Sequence, residues 1–136
     1  MDIADALAFV RENHHAVLAT SRRDGRPQLS PVACAVGTDG TIVVSSRETA
    51  VKVKNLRRDP HASLCLLNDG FFGAWLQVEG DASVVPLPEA MDGLVEYYRS
   101  VAGEHPDWDD YRAAMERERR VILRIALERA GPNVGG

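Results

Sequence analysis

The sequence predicts a mainly β fold, in which six antiparallel strands form a closed or partly closed barrel with flanking helices. The chain has 136 residues and a hydrophobic fraction of 45%, which suits one domain with one core. Asp-Gly pairs at 24–25 and 39–40 separate short β-rich segments, as in hairpins, so the sheet should be antiparallel. Six such strands in so short a chain favour a barrel over an open sheet.

The six strands are predicted from apolar segments with alternating or β-branched residues between turn signals. They cover residues 15–21, 28–36, 41–46, 62–67, 74–85 and 120–127. Gly80 lies inside the fifth strand and indicates a bulge or bend. In the last strand Val121, Leu123 and Ile125 alternate with other residues, which indicates a strand that is apolar on at least one face.

Four helices are predicted from apolar residues at helical spacing, over residues 3–12, 49–59, 86–102 and 107–117. Asp2 is placed to cap the first helix, and Pro60 follows the end of the second. Residues 131–136 contain three glycines and a proline, and we expect them to form a weakly ordered tail of the single domain 1–136.

Charge and cysteine content exclude several classes of function. The net charge of −4 argues against a nucleic-acid partner, and no apolar run is long enough to span a membrane. Cys34 and Cys65 lie in apolar segments, which is typical of buried thiols in a cytoplasmic protein. With only two cysteines and the adjacent pair His14 and His15, we expect no metal site.

The predicted helix at 49–59 carries four positive charges in an acidic protein. At about 100° per residue, Lys54, Arg57 and Arg58 fall together on one face, and the simplest interpretation is that this face is solvated. Lys52 instead falls on the side of Thr49 and Leu56, which must face the barrel.

A lysine on a buried face needs an anion or must extend its ammonium group to water. Within the predicted helix 49–59, no carboxylate lies three or four residues from Lys52 to pair with it. The preceding Ser45, Ser46 and Arg47 add hydroxyl and cationic donors before the helix N-terminus, where anions are favoured. Lys52 is therefore a candidate phosphate ligand, with extension to solvent as the alternative.

The strand at 28–36 begins with the polar residues Gln28 and Ser30 alternating with Leu29. Pro31 limits hydrogen bonding and indicates an edge strand or a bulge. An edge strand with free backbone groups could bind a planar heterocycle, although an ordinary solvent-facing strand would show the same pattern.

Sequence patterns for hydrolytic or nucleophilic catalysis are absent. The chain contains no GxGxxG or P-loop glycine pattern and no GxSxG elbow. A redox reaction needs fewer protein groups, because the cofactor supplies the difficult chemistry and the protein positions it. No catalytic side chain is assigned.

Several segments resemble the pyridoxamine 5′-phosphate oxidase-like split-barrel superfamily. They are Ala16-Val-Leu-Ala-Thr20 followed by Asp24-Gly-Arg-Pro-Gln28, the segment 49–60, and Val78-Glu-Gly-Asp-Ala82. The stretch 98–112 is similar to one branch of that superfamily, the actinobacterial deazaflavin (coenzyme F420)-dependent reductases.

The resemblance implies a six-stranded split barrel and a homodimer with two cofactor sites at the subunit interface. It also implies hydride transfer between coenzyme F420 and a small organic acceptor. The alternatives are an FMN-dependent oxidoreductase of the same fold and a flavin- or deazaflavin-binding module without turnover. Because F420 carries a polyglutamate tail, the cations Lys54, Arg57 and Arg58 slightly favour it over FMN.

The resemblance also assigns cofactor-binding positions. Lys52 matches the phosphate-binding lysine, which agrees with the helical wheel. The other matches are Gln28, Ser30, Pro31 and Val32 beside the ring, Ser45 and Ser46 near the phosphate, Lys54 and Asn55 on the helix flank, and Trp75 where the partner subunit closes over the ring.

One departure concerns phosphate affinity. Many relatives carry an arginine one or two residues before the lysine, where this chain has Val51 and Ala50. One cation is thus missing, and Arg47 or Lys54 could replace it.

Overall fold

The computed structural model describes residues 1–133. Its four helices are α1 (Ile3–Glu12), α2 (Val51–Arg58), α3 (Met91–Ala102) and α4 (Trp108–Arg117). Its strands are β1 (His15–Ser21), β2 (Pro27–Ala33), β3 (Ala35–Val36), β4 (Ile42–Arg47), β5 (His61–Leu67), β6 (Trp75–Val85) and β7 (Arg120–Asn133). None of the helices in residues 1–133 is long and apolar enough to cross a membrane.

The strands form one antiparallel sheet in the order β2-β1-β5-β6-β7-β4-β3. The prediction of six strands is wrong by one, because the segment predicted as one strand divides at Cys34. Residues before Cys34 pair with β1 and those after it pair with β4. The two edges of the sheet are thus consecutive in the chain, so the sheet must curl until they meet. This confirms the split-barrel fold.

The barrel interior is filled by every second residue of the strands, as the alternation predicted. Its largest fully buried side chains include Leu18, Val44, Leu64, Leu66, Val78, Leu123 and Ile125. Cys34 is buried in the same core, and its burial raises the pKa of the thiol to about 12. The expectation of a buried thiol is therefore confirmed for Cys34, whereas Cys65 is half-exposed.

Helices α3 and α4 cover the outer side of β3, β4 and β7, where they enclose a second apolar cluster. Leu94 and Val95 of α3 pack there against Tyr111 of α4 and Ile122 of β7. The Tyr111 hydroxyl is buried and donates a hydrogen bond to the Leu94 carbonyl over 2.8 Å, which ties the two helices together.

The outer side of β2, β1, β5 and β6 keeps its apolar side chains partly exposed. We call this region the outer sheet face; it consists of Val17, Leu29, Pro31, Cys65, Leu67 and Trp75. Leu29 is 60% exposed there.

Gly80 marks a bulge, as predicted. The register between β6 and β7 shifts between Glu79 and Gly80, and the backbones approach closely at this point. A Cβ atom at Gly80 would lie 2.0 Å from the Ala126 carbonyl oxygen, so only glycine fits.

Three predicted boundaries differ from the structure. Helix α3 begins at Met91 rather than at residue 86, because Pro88 disfavours helical backbone at Leu87. Helix α2 begins at Val51, and Thr49 is exposed in the preceding turn. Strand β7 continues to Asn133, so residues 131–133 of the expected tail are paired strand, and residues 134–136 lie outside the described residues.

Candidate cofactor site

The barrel has a gap between β2 and β4. Within residues 1–133 β2 pairs only with β1, and it approaches β4 without pairing with it. Helix α2 follows β4 and packs on β1, β2 and β6, at the end of this gap. The predicted site residues of the segments 28–32, 45–46 and 52–55 therefore lie on the three elements that border one opening.

Lys52 lies in the first turn of α2 and is half-buried, whereas Lys54 is exposed, as the helical wheel predicted. Burial lowers the pKa of Lys52, and the positive charge of Arg120 lowers it further. Among the described residues, none forms an ion pair or a hydrogen bond with the Lys52 ammonium group. Residues 1–133 thus hold a partly desolvated cation without a counter-ion among them, which suits an anionic ligand.

Two arginines lie at the adjacent ends of β4 and β7. Arg47 and Arg120 are directly opposite each other in the register of these strands. Glu118 accepts hydrogen bonds from Arg120 Nε at 3.0 Å and from Arg120 Nη2 at 2.8 Å, and it lies 3.6 Å from Arg47 Nη2. The sequence reasoning missed Arg120, because its proximity to Lys52 depends on a strand pairing that spans more than 70 residues.

The other cations of α2 have partners within the protein. Arg57 pairs with Glu48, which also pairs with Arg119, and these contacts hold the pKa of Glu48 below its ordinary value. Arg58 donates hydrogen bonds to the Ser21 carbonyl and to Asn55. Both arginines thus hold α2 in place, and within residues 1–133 only Lys54 of the predicted cationic face has neither an ion pair nor a side-chain hydrogen bond.

Asn55 is 5% exposed and points into the barrel, not along the helix flank where the family match placed it. Its Nδ2 donates to Thr20 Oγ1 at 3.0 Å, and this hydroxyl donates to Gln28 Oε1 at 3.1 Å. The chain of hydrogen bonds connects α2, β1 and β2. It fixes the predicted phosphate helix relative to the predicted ring-binding strand.

The side chains of β2 alternate as predicted, but the polar ones face inward. Gln28, Ser30 and Val32 are half-buried, whereas Leu29 and Pro31 are exposed on the outer sheet face. Ser30 Oγ is buried and has no hydrogen-bond partner among the described residues. A buried hydroxyl without a partner costs free energy, so a polar group of a ligand bound at the gap would satisfy it.

The two serines of β4 face opposite sides. Ser46 is buried in the barrel, and its hydroxyl donates to the Arg47 carbonyl at 3.1 Å. Ser45 faces α3, where Tyr97 lies against it. The Tyr97 hydroxyl donates to the Ala33 carbonyl at 3.0 Å, so Tyr97 connects the end of β2 to β4 beside the gap.

Trp75 lies far from Lys52. It begins β6 opposite Leu67, whereas Val85 at the other end of β6 pairs with Ile122, close to Arg120. The ten residue steps between Trp75 and Val85 span roughly 30 Å at the usual rise of a strand. Trp75 and Lys52 of one chain therefore lie at opposite ends of the barrel.

Comparison with protein families identifies the chain. The family model described as pyridoxamine 5′-phosphate oxidase matches residues 4–132. The chain belongs to the pyridoxamine 5′-phosphate oxidase family.

Individual relatives of this family show further similarity. An F420H(2)-dependent biliverdin reductase of Mycobacterium tuberculosis (strain CDC 1551 / Oshkosh) is 29% identical over 126 residues, which cover 92% of this chain and 83% of the relative. The crystal structure of the conserved hypothetical protein Rv2991 from M. tuberculosis superposes with a TM-score of 0.78 at 30% identity, covering 96% of this chain and 82% of that one.

A structure described as an F420 reductase has the same fold, with a TM-score of 0.71 at 18% identity and coverage of 91% and 94%. Together with the family match, the named relative supports an oxidoreductase with a flavin-type cofactor. The half-buried Lys52, the unpartnered Ser30 hydroxyl and the free edge of β2 fit such a cofactor, because it presents a phosphate and a planar polar ring.

Proposed function

We propose that this protein is an F420-dependent oxidoreductase that transfers a hydride between the deazaflavin and a small organic acceptor. The observation that carries the proposal is the half-buried Lys52 at the end of the gap between β2 and β4, which has no ion pair within residues 1–133. The similarity to the mycobacterial F420H(2)-dependent biliverdin reductase favours a deazaflavin over other phosphate-bearing cofactors.

The proposed role of the chain is to bind and orient. Lys52 would hold the phosphate by a charge-assisted hydrogen bond. Gln28, Ser30 and the free edge of β2 would orient the ring, and the barrel wall at Val32 would exclude water from one side. The cofactor supplies the hydride chemistry when bound, so these residues need only position the cofactor and exclude water from it.

We further propose that the active form is a homodimer. Trp75 matches a cofactor-covering position of the family, yet it lies roughly 30 Å along β6 from the Lys52 end of its own chain. A site that uses both residues would take Trp75 from a second copy. The outer sheet face, with Leu29 60% exposed, offers an apolar surface for that copy.

Sedimentation of Leu29→Glu tests the dimer. A charge on the outer sheet face should yield monomers and weaken cofactor binding, since each site would lose its second copy. Ala113→Glu adds the same charge at an exposed position of α4 and serves as the control. A wild-type protein that sediments as a monomer with cofactor present would refute the proposal.

FMN is the second candidate cofactor, and the match to the pyridoxamine 5′-phosphate oxidase family favours it. Titration of the purified protein with F420 and with FMN decides between them, with F420 expected to bind more tightly. Tighter binding of FMN, or a yellow protein with flavin absorbance, would overturn the F420 proposal. Binding of F420H2 without its oxidation by any acceptor of a quinone and tetrapyrrole panel would indicate a binding module instead.

A further inference from the structure

The strand ends beside Lys52 hold an unfavourable arrangement of charge. Arg47 and Arg120 are directly opposite in the β4–β7 register, and like charges at such positions destabilise a sheet. Lys52 follows five residues after Arg47, in the first turn of α2, and the positive charge of Arg120 contributes to lowering its pKa. Three cations thus converge on one end of the gap.

One carboxylate partly compensates them. The contacts of Glu118 with Arg120 and with Arg47 all use a single oxygen, Oε1. Lys52 has no ion pair within residues 1–133, so two positive charges remain in excess among these four residues. A phosphate would supply the missing negative charge and accept several hydrogen bonds at once.

The Arg120 side chain is also accessible to a ligand. It borders a cavity of about 360 Å³ that Ser45 and Glu118 line as well. Ser45 is one of the two serines that the family resemblance places near the phosphate. Arg120 is therefore accessible from this cavity, which lies on the side of the sheet that α3 and α4 cover.

We propose that Arg120 is the second cation of the phosphate site and that Glu118 is an internal counter-ion, which the ligand phosphate displaces from Arg120. The proposal rests on the function proposed above, and it names the residue that replaces the arginine missing at Val51 and Ala50. Glu118 then limits affinity, because the phosphate must compete with a carboxylate that already binds the guanidinium.

The test compares phosphate-bearing ligands with phosphate-free ones; FMN and riboflavin differ only by the phosphate, whereas F420 also carries its polyglutamate tail. Kd is measured for F420 against its phosphate-free deazariboflavin analogue, and for FMN against riboflavin. Arg120→Gln should reduce the preference for the phosphate-bearing member about tenfold or more, as expected for a lost charge-assisted contact, and leave the phosphate-free members unchanged. Arg112→Gln, at an exposed position of α4, removes the same charge and should change neither.

Glu118→Gln gives the opposite result, which a merely structural contact would not produce. It should tighten binding of the phosphate-bearing members, because the competing carboxylate is gone. If Arg120→Gln lowers the melting temperature of the apoprotein strongly, Arg120→Lys keeps a charge and should retain most of the phosphate preference. An unchanged preference in Arg120→Gln, or weaker binding in Glu118→Gln, would overturn the proposal.

The two proposals fail differently. If FMN keeps an Arg120-dependent preference over riboflavin while F420 does not bind, the F420 assignment fails and the role of Arg120 stands. If F420 binds and is turned over without dependence on Arg120, the role of Arg120 fails and the F420 assignment stands. A wild-type protein that prefers neither phosphate-bearing ligand would overturn both.

Discussion

Replacement of Lys52 by methionine should separate cofactor affinity from protein stability. The structure gives the reason: the ammonium group is half-buried, repelled by Arg120 and without a counter-ion in residues 1–133. Its charge therefore costs free energy in the apoprotein and is compensated when an anion binds. Methionine keeps an unbranched side chain of similar length and removes the charge.

The expected loss of affinity follows from the contact that disappears. A hydrogen bond to a charged group contributes about 1.5–3 kcal/mol, which corresponds to a rise in Kd of about 10- to 150-fold. The apoprotein at pH 7 should be as stable as the wild type or more stable. Fluorescence titration with F420 and thermal denaturation without ligand measure the two quantities.

The stability difference between the variant and the wild type should depend on pH. Because the pKa of Lys52 in the folded state lies below its ordinary value of 10.5, the folded wild type binds its proton less tightly than the unfolded chain. The free-energy cost of keeping Lys52 charged in the folded state is fully present below the folded-state pKa. It disappears as the pH rises toward 10.5. Lys52→Met should therefore gain stability over the wild type at pH 7 and lose that gain by pH 10.5.

Lys52→Arg is the matched control, since it keeps the charge and should keep most of the affinity. Unchanged F420 affinity in Lys52→Met would refute the phosphate assignment. A loss of stability at pH 7 would refute the claim that Lys52 is an uncompensated cation.

Further predictions concern the bulge at Gly80, the second apolar cluster and the cofactor tail. Gly80→Ala should destabilise the protein by several kcal/mol or prevent folding, since its Cβ would lie 2.0 Å from a backbone oxygen of β7. Chemical denaturation measures the free energy of unfolding, and a loss of less than about 1 kcal/mol would contradict the close approach of the two backbones. Burial raises the pKa of Tyr111 to about 12 from an ordinary 10.0, so its contribution to stability is complete below pH 10.0 and is lost as the pH rises to about 12. Denaturation at pH 8–11.5 should show a shallower decline for Tyr111→Phe than for the wild type. Lys54→Ala should weaken F420 binding by about two- to fivefold, as for an exposed charge pair, and leave FMN binding unchanged; equal effects on both ligands would argue against contact with the polyglutamate tail.

Much of the fold could be predicted because its signals are local. The alternation in β1, β5 and β7 and the turn residues between strands depend only on neighbours in the chain. The bulge at Gly80 was also predictable, because a glycine inside an apolar strand usually marks a bulge or a close approach of two backbones. The division at Cys34 was not predictable, because both halves are extended and only their hydrogen-bond partners differ.

The candidate site shows the same contrast. The helical wheel separates half-buried Lys52 from exposed Lys54 without any knowledge of the sheet. It could not show that Arg57 pairs with Glu48, or that Asn55 turns inward to Thr20. Those contacts depend on where other elements pack against α2.

The sequence by itself determined the alternation of strands, the helix that carries Lys52 and the inward orientation of that lysine, because each follows from the periodicity of a local segment. Tertiary structure alone decided what surrounds the lysine. The pairing of β4 with β7 places Arg120 opposite Arg47 and brings Glu118 between them, across more than 70 residues of chain. Electrostatic interactions depend on distance in space, and only the closure of the barrel sets that distance.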